Sequence, residues 1–184
     1  MKRIIVAITG ASGAILGIRL LEELRKIQIE THLIISNWGE KTIQYETEYS
    51  IDQVRAIASK VYDNDNLAAS VSSGSFKNDG MVVVPCSMKT LAFIADGLSD
   101  NLITRAADVA IKEKRKLIII PRETPLSGIH IRNMLILSDL GASIIPPSMG
   151  FYHMPETVDD LVNHIVGKIL DSLDLDNSLY KRWS

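Results

Sequence analysis

The sequence predicts one α/β domain, a doubly wound three-layer arrangement with a parallel sheet between helices on both faces. Three observations carry that expectation. Short aliphatic runs alternate with amphipathic stretches about five times along the chain. The runs are apolar at consecutive positions, as in strands covered on both sides. Of the 184 residues, 46% are hydrophobic but only 5% aromatic, so the core is built of Ile, Leu, Val and Ala.

Residues 4–9 read as the first strand, β-branched and bounded by Gly10. Residues 14–25 place Ile15, Leu16, Ile18, Leu20, Leu21 and Leu24 among Arg19, Glu22, Glu23 and Arg25, a helix with one buried face. Residues 31–35 form a second strand, and Ser36-Asn37-Trp38-Gly39 is expected to be a loop. A helix is expected near residues 52–59, and the polar run Ser70-Val71-Ser72-Ser73-Gly74-Ser75 in a loop. Residues 80–85 give a third strand, ending in Cys86-Ser87-Met88-Lys89-Thr90, a small polar turn that leads into a helix. Further on, residues 102–114 are helical, 117–120 a strand stopped by Pro121, and 127–140 helical again. Residues 143–145 form a short strand cut off by Pro146-Pro147, and 157–173 a closing amphipathic helix. No repeat or linker marks a second domain, so residues 1–184 read as one unit with a short tail from about residue 174. A domain of this size buries about 70% of its unfolded-chain surface, enough for a real core.

The formal net charge of −2 gives no basic excess to attract nucleic acid or an anionic membrane surface. Cys86 is the sole cysteine, so no intramolecular disulfide forms, consistent with a reducing compartment. The N-terminal apolar run breaks at Thr9-Gly10, too early for a signal core, and no apolar run is long enough to span a bilayer. The expectation is a cytoplasmic enzyme or binding protein without nucleic-acid or membrane partners.

Ligands of open parallel sheets bind outside the carboxyl ends of the strands. The turns to examine are therefore 10–13, 36–37, 85–90, 121–125 and 146–153, most of them rich in hydroxyls or charges. Thr9-Gly10-Ala11-Ser12-Gly13 lacks the third glycine of the dinucleotide fingerprint and the Gly-Lys-Ser/Thr of a Walker loop. Its small residues still allow close backbone approach, and a helix start near Ala14 offers N–H groups to an anion. A tight turn with Ser12 as helix cap accounts for the same residues equally well. Ser36 and Ser87 to Thr90 present hydroxyls that suit a hydrogen-bonding heterocycle, a phosphate or a helix cap. Arg122 is placed to grip a phosphate bidentately, with Glu123 beside it to hold the arginine or move a proton; a surface ion pair is the simpler alternative. Arg105, Asp108 and Lys112 fall at i,i+3 and i,i+4 spacing, by default a solvated ion-paired helix face. Met149-Gly150-Phe151-Tyr152-His153 reads as a lid or a packed loop. His32, His130, His153 and His164 show no metal-ligand spacing, which predicts no metal centre.

Six motifs in one order say more than any spacing: Thr9-Gly10-Ala11-Ser12-Gly13-Ala14, Ser73-Gly74-Ser75-Phe76, Pro85-Cys86-Ser87-Met88-Lys89-Thr90-Leu91, Arg105-Ala106-Ala107-Asp108-Val109, Pro121-Arg122-Glu123-Thr124-Pro125 and Gly150-Phe151-Tyr152-His153. Together they resemble the UbiX-type flavin prenyltransferases, formerly described as aromatic-acid decarboxylases, over nearly the whole chain from Lys2 to Trp183. The resemblance implies a Rossmann-like, flavodoxin-like fold that binds FMN. It implies transfer of a dimethylallyl group from dimethylallyl phosphate to N5 and C6 of reduced FMN, without a metal. It implies a homododecamer with sites between subunits, and a product, prenylated FMN, used by a UbiD-type decarboxylase in ubiquinone synthesis or aromatic-acid breakdown. Carried over residue by residue, Gly10, Ala11 and Ser12 match the flavin-binding turn, with Ser12 also near the reacting centre. Ser36, Ser87, Met88, Lys89 and Thr90 match flavin contacts. Arg122 matches an arginine serving flavin and substrate phosphate, while Lys112, Tyr152 and Lys168 match phosphate-binding positions. Arg105 matches a site arginine, Glu123 an acid in proton transfer, and Trp183 a tryptophan that helps close the site. Some relatives carry Arg at the position of Lys168; lysine keeps the charge and loses the fork geometry. The competing expectations are an FMN-dependent decarboxylase of aromatic or phenolic acids, a non-catalytic flavin-carrying subunit of such a decarboxylase, and a flavin-dependent cysteine decarboxylase, whose Asn-bearing clamp motif the chain lacks.

Overall fold

A computed structural model describes residues 2–182. Six parallel strands form one sheet in the order β3-β2-β1-β4-β5-β6. The chain lays down β1 (Arg3–Ile8), α1 (Ala14–Lys26), β2 (Glu30–Ile35), α2 (Asn37–Glu46), α3 (Ile51–Ile57) and β3 (Lys60–Asp63) toward one edge. A 3-10 turn, Ser70–Ser72, precedes the return to the centre. Then β4 (Gly80–Cys86), α4 (Met88–Ala95), α5 (Leu102–Lys112), β5 (Leu117–Pro121), α6 (Gly128–Asp139) and β6 (Ser143–Ile144) build toward the other edge, and α7 (Val158–Ser172) packs back. The direction of winding reverses between β1 and β4, and such a switch point opens a crevice at the carboxyl ends of its two strands.

Successive residues of a strand point to opposite faces, so a strand between two helical layers must be apolar at every position. In β1, Ile4, Val6 and Ile8 join the core under α1, α3 and α7, while Ile5 and Ala7 join the core under α4, α5 and α6. In β4, Val82 and Val84 enter the first core and Met81 and Val83 the second. Gly17 lets α1 lie against β4: a Cβ there would stand 2.6 Å from the Val84 carbonyl oxygen.

The structure departs from the sequence reading at three elements. Residues 36–39 are no loop; Ser36 caps α2, its Oγ accepting from the Gly39 N–H at 3.0 Å. Gly39 lets that helix settle on the end of β1, since a Cβ there would lie 2.5 Å from the Ile8 carbonyl oxygen. The strand β3, Lys60-Val61-Tyr62-Asp63, carries no hydrophobic run, and pairing with β2 from His32–Lys60 to Ile35–Asp63 makes it a strand. Finally α5 ends at Lys112 rather than residue 114, because Lys114 takes a left-handed backbone with φ 53°.

Candidate functional site

At the switch point, buried Thr9 ties the two central turns together. Its hydroxyl donates to the Pro85 carbonyl at 2.8 Å and accepts the Ser87 N–H at 2.8 Å. The sequence reading gave Thr9 no role, although a hydroxyl on the last residue before the glycine turn is a visible signal. Arg122 joins the same row, its N–H donating to the Cys86 carbonyl at 3.1 Å. Ser36 joins through its N–H to the Ile8 carbonyl at 3.0 Å. One end of the sheet thus carries Gly10 to Ser12, Ser36, Ser87 to Thr90 and Arg122-Glu123 side by side.

Gly10 has no room for a side chain, because a Cβ would run into Trp38 at the start of α2. Gly13, at φ 103°, is the residue that caps α1, so Ser12 is not the cap. The Ser12 hydroxyl is exposed and unpartnered among the described residues. Two of the N–H groups at the start of α1 expected to receive an anionic ligand are already taken. Glu46, at the end of α2, accepts from Gly13 N–H at 2.8 Å and Ala14 N–H at 3.2 Å. A carboxylate there is favoured by the helix dipole. Glu46 stands 32 residues from Ala14, and no local pattern announces the contact.

The start of α4 is different. Ser87 caps it, accepting from Thr90 N–H at 3.3 Å with its Oγ 3.1 Å from the Thr90 hydroxyl. Met88 and Lys89 supply the first two helical N–H groups, which have no partner within a helix. The starts of α2 and α4 both point into this end of the sheet, so their dipoles favour a bound anion there. The Lys89 ammonium lies 5.4 Å over the Phe93 ring, along its own helix.

Arg122 and Glu123 form no ion pair with each other. Glu123 Oε1 accepts from the neighbouring Thr124 N–H at 3.0 Å, and the exposed Arg122 guanidinium meets no carboxylate among the described residues. The simple surface-pair alternative is therefore removed, and the Arg122 cation has no neutralising carboxylate among the described residues.

Tyr152 and Lys168 come together through α7 and the chain's tail. The Tyr152 hydroxyl is 3.0 Å from His164 Nε2, and the Lys168 ammonium lies 5.2 Å over the Tyr180 ring. A hydrogen bond to Tyr180 holds the Lys168 pKa above its ordinary value. The tail from about residue 174 is fastened: Asp171 receives Asn177 at 2.8 Å, Tyr180 at 2.7 Å and Arg182 at 2.7 Å. Trp183 lies outside the described residues.

Arg105 and Lys112 are elsewhere. Arg105 donates to the Ser72 carbonyl at 3.2 Å and pairs with Asp108 at 2.7 Å. Lys112 pairs with Glu113 at 3.5 Å, not with the Asp108 that its spacing suggested. Because α5 runs antiparallel to the strands, Lys112 in its last turn sits at the amino end of the sheet. The five residues of β5 separate that end from Arg122, roughly 16 Å at the rise of a parallel strand. One chain does not bring Lys112 and Arg122 to one ligand.

Burial pushes the Cys86 thiol up and keeps it unreactive. Among the described residues no three His, Cys, Asp or Glu side chains gather into a metal-binding group. None of the described helices is long and apolar enough to cross a membrane. Trp38, Met149, Phe151 and Met154 are exposed around the strand-end cluster.

The family model described as Flavoprotein matches residues 1–170. A flavin prenyltransferase, LpdB, of Lactiplantibacillus plantarum is 54% identical over 184 residues, covering 100% of this chain and 98% of the relative. A UbiX protein solved in complex with FMN and dimethylallyl pyrophosphate superposes with a TM-score of 0.98 at 53% identity, covering 100% of this chain and 97% of that one. A structure from Escherichia coli O157:H7, described as a dodecameric FMN-dependent UbiX-like decarboxylase, superposes at 0.97 with 51% identity and 99% coverage of both chains.

Proposed function

We propose, from the premise that this chain belongs to the flavoprotein family and within it to the UbiX-type flavin prenyltransferases, that it moves a dimethylallyl group from dimethylallyl phosphate onto N5 and C6 of reduced FMN. The observation that carries this reading is the row of strand ends at the β1/β4 switch point. There the Ser12 hydroxyl is exposed and without a partner among the described residues, and the backbone of Arg122, whose guanidinium meets no carboxylate among them, lies next to the turn that starts α4.

Gly10 and Ala11 give the flavin close approach to the backbone, and Ser36, Ser87, Met88, Lys89 and Thr90 supply its hydrogen-bonding partners. The donor's allylic C–O bond breaks, and its electron pair leaves with the phosphate. Arg122, Lys168, the Tyr152 hydroxyl and Lys112 stabilise that leaving charge, the task a metal would otherwise perform. Reduced flavin supplies the nucleophilic N5 and C6. The N5 proton goes to the leaving phosphate. As C6 bonds to the tertiary carbon of the dimethylallyl unit, the C=C bond of that unit breaks and its inner carbon takes a proton from the phosphate, while Glu123 takes the proton released at C6 and passes it toward the phosphate. Ser12 stands next to the reacting centre.

Lys112 reaches this site from a neighbouring copy of the chain, because in its own chain it lies across the sheet, and Arg105, held by Ser72 and Asp108 in its own chain, serves the neighbour's site in the same way. The exposed apolar side chains of α6, Ile129, Ile131 and Leu135, fit contact between copies in a homododecamer. The product goes to a UbiD-type decarboxylase. Residues 1–184 act as one unit, and a lone unpaired thiol suits a reducing cytoplasm.

Anaerobic incubation with reduced FMN and dimethylallyl phosphate, and in parallel with the diphosphate, tests the reading by mass spectrometry of the flavin. A flavin heavier by one dimethylallyl unit is expected. Bound but unmodified flavin would instead identify a carrier. Carbon dioxide released from an aromatic acid, with no second protein, would identify a decarboxylase.

A further inference from the structure

His164 belongs to α7, yet its ring serves a polar cluster rather than the aliphatic core. It is 6% exposed. Its Nε2 lies 3.0 Å from the Tyr152 hydroxyl. The Tyr152 and Tyr180 rings meet it edge-on at 5.6 and 5.0 Å, and the His153 ring stacks on it at 4.8 Å. Two glycines make room for this cluster. A Cβ on Gly150 would stand 2.9 Å from His164 Cε1, and one on Gly167 would run into the Tyr180 ring. The rings therefore have one arrangement, fixed by backbone as well as by hydrogen bonds.

The other ring nitrogen, Nδ1, is buried with no partner among the described residues. Buried polar donors left unpaired are rarer than under-used acceptors. The favoured tautomer thus carries its proton on Nε2 and donates it to Tyr152. Burial first, then His153 and Lys168, hold the imidazole pKa below its ordinary value, so the ring is neutral. A tyrosine oxygen that accepts from histidine keeps its own proton for a second partner. One turn along α7, Lys168 rests on the Tyr180 ring that also abuts His164.

We propose that His164 is a positioning residue: its Nε2–H fixes the Tyr152 hydroxyl as a hydrogen-bond donor to the phosphate of the prenyl donor. This rests on the reading of Tyr152 given under Proposed function. The sequence reading treated His164 only as one of four scattered histidines.

The test uses the FMN-loaded protein with the flavin oxidised, so that no turnover occurs, and calorimetric titration with dimethylallyl phosphate and with inorganic phosphate. His164→Phe should weaken both about tenfold, the value of one hydrogen bond to a ligand-binding group, and leave FMN affinity and oligomeric state unchanged. His164→Gln, whose amide N–H reaches the Nε2 position, should recover affinity to within about threefold. Adding His164→Phe to Tyr152→Phe should cost nothing further, because the histidine acts through the tyrosine. In turnover assays His164→Phe should lower kcat/KM for the donor about tenfold or more, with KM raised as the titrations require. Wild-type affinity in His164→Phe, an equal loss in the Tyr152→Phe background, no recovery in His164→Gln, or no phosphate binding by the wild type would each overturn the assignment. A wild type that binds both ligands but forms no prenylated flavin would refute the proposed reaction and leave the His164 assignment to stand on the titrations.

Discussion

Mixing two inactive variants gives the most direct test of a site shared between copies. Lys112 sits at the amino end of the sheet and Arg122 at the carboxyl end, with the length of β5 between them. On the proposed roles, Lys112→Ala and Arg122→Ala each remove one cation from the leaving phosphate, and losing one such donor costs about 10²–10³ in rate. Each pure variant should therefore retain about 1% of activity or less. Subunits exchanged at equal ratio change this. A site is intact when its Arg122 comes from a Lys112→Ala chain and its Lys112 from an Arg122→Ala chain. Each condition holds half the time, so about a quarter of sites recover. The rate of flavin prenylation, with mixing verified by native mass spectrometry, reads the result directly. If both residues served one site from one chain, no chain in the mixture would carry an intact pair. Recovery no greater than either pure variant, in oligomers shown to be mixed, would refute the shared site.

Gly17→Ala should destabilise despite a helix-propensity gain of about 1 kcal/mol, because the added methyl meets the Val84 carbonyl oxygen at 2.6 Å. A net loss of about 1–3 kcal/mol is expected as a lower denaturant midpoint. Thr9→Val removes the hydroxyl that joins the Pro85 carbonyl and the Ser87 N–H. It should cost about 1–3 kcal/mol and weaken FMN binding in a fluorescence titration, since the two central turns lose their tie. Desolvation is the first cause that lowers both His32 and His164 from their ordinary pKa. The unfolded chain therefore binds protons that the folded chain does not, and stability present above about pH 6.5 should decline as the pH falls below it. Urea midpoints measured from pH 7.5 to 5 check the sign.

The central strands were legible because burial on both faces leaves an unbroken aliphatic run, as in Met81-Val82-Val83-Val84. The edge strand β3 was not, since Lys60-Val61-Tyr62-Asp63 is a strand by pairing and not by hydrophobicity. The start of α2 was misread because Ser36 and Gly39 are turn residues and cap residues alike; tertiary fit against Ile8 decides between them. The strand-end rule singled out Ser12, Ser36, Ser87 and Arg122 from the sequence, which the structure places at one end of the sheet. It could not reveal that Glu46 fills the start of α1, a contact made only by the folded chain. Nor does motif order say where a helix ends in space: Lys112 lies one strand-length from Arg122 because α5 descends.

Both margins of the sheet discourage recruitment of further strands. On one side β3 offers four residues, with Lys60 and Asp63 exposed at its ends. On the other, β6 is two residues long and runs into Pro146-Pro147, which have no N–H to offer a newcomer. Lateral growth by strand addition, the route to open-ended aggregates, is thus closed at each border. Copies are left to meet through helices and loops, whose side-chain fit is specific and saturable. Contacts of this kind saturate once each face is covered, so they close on themselves instead of extending without end.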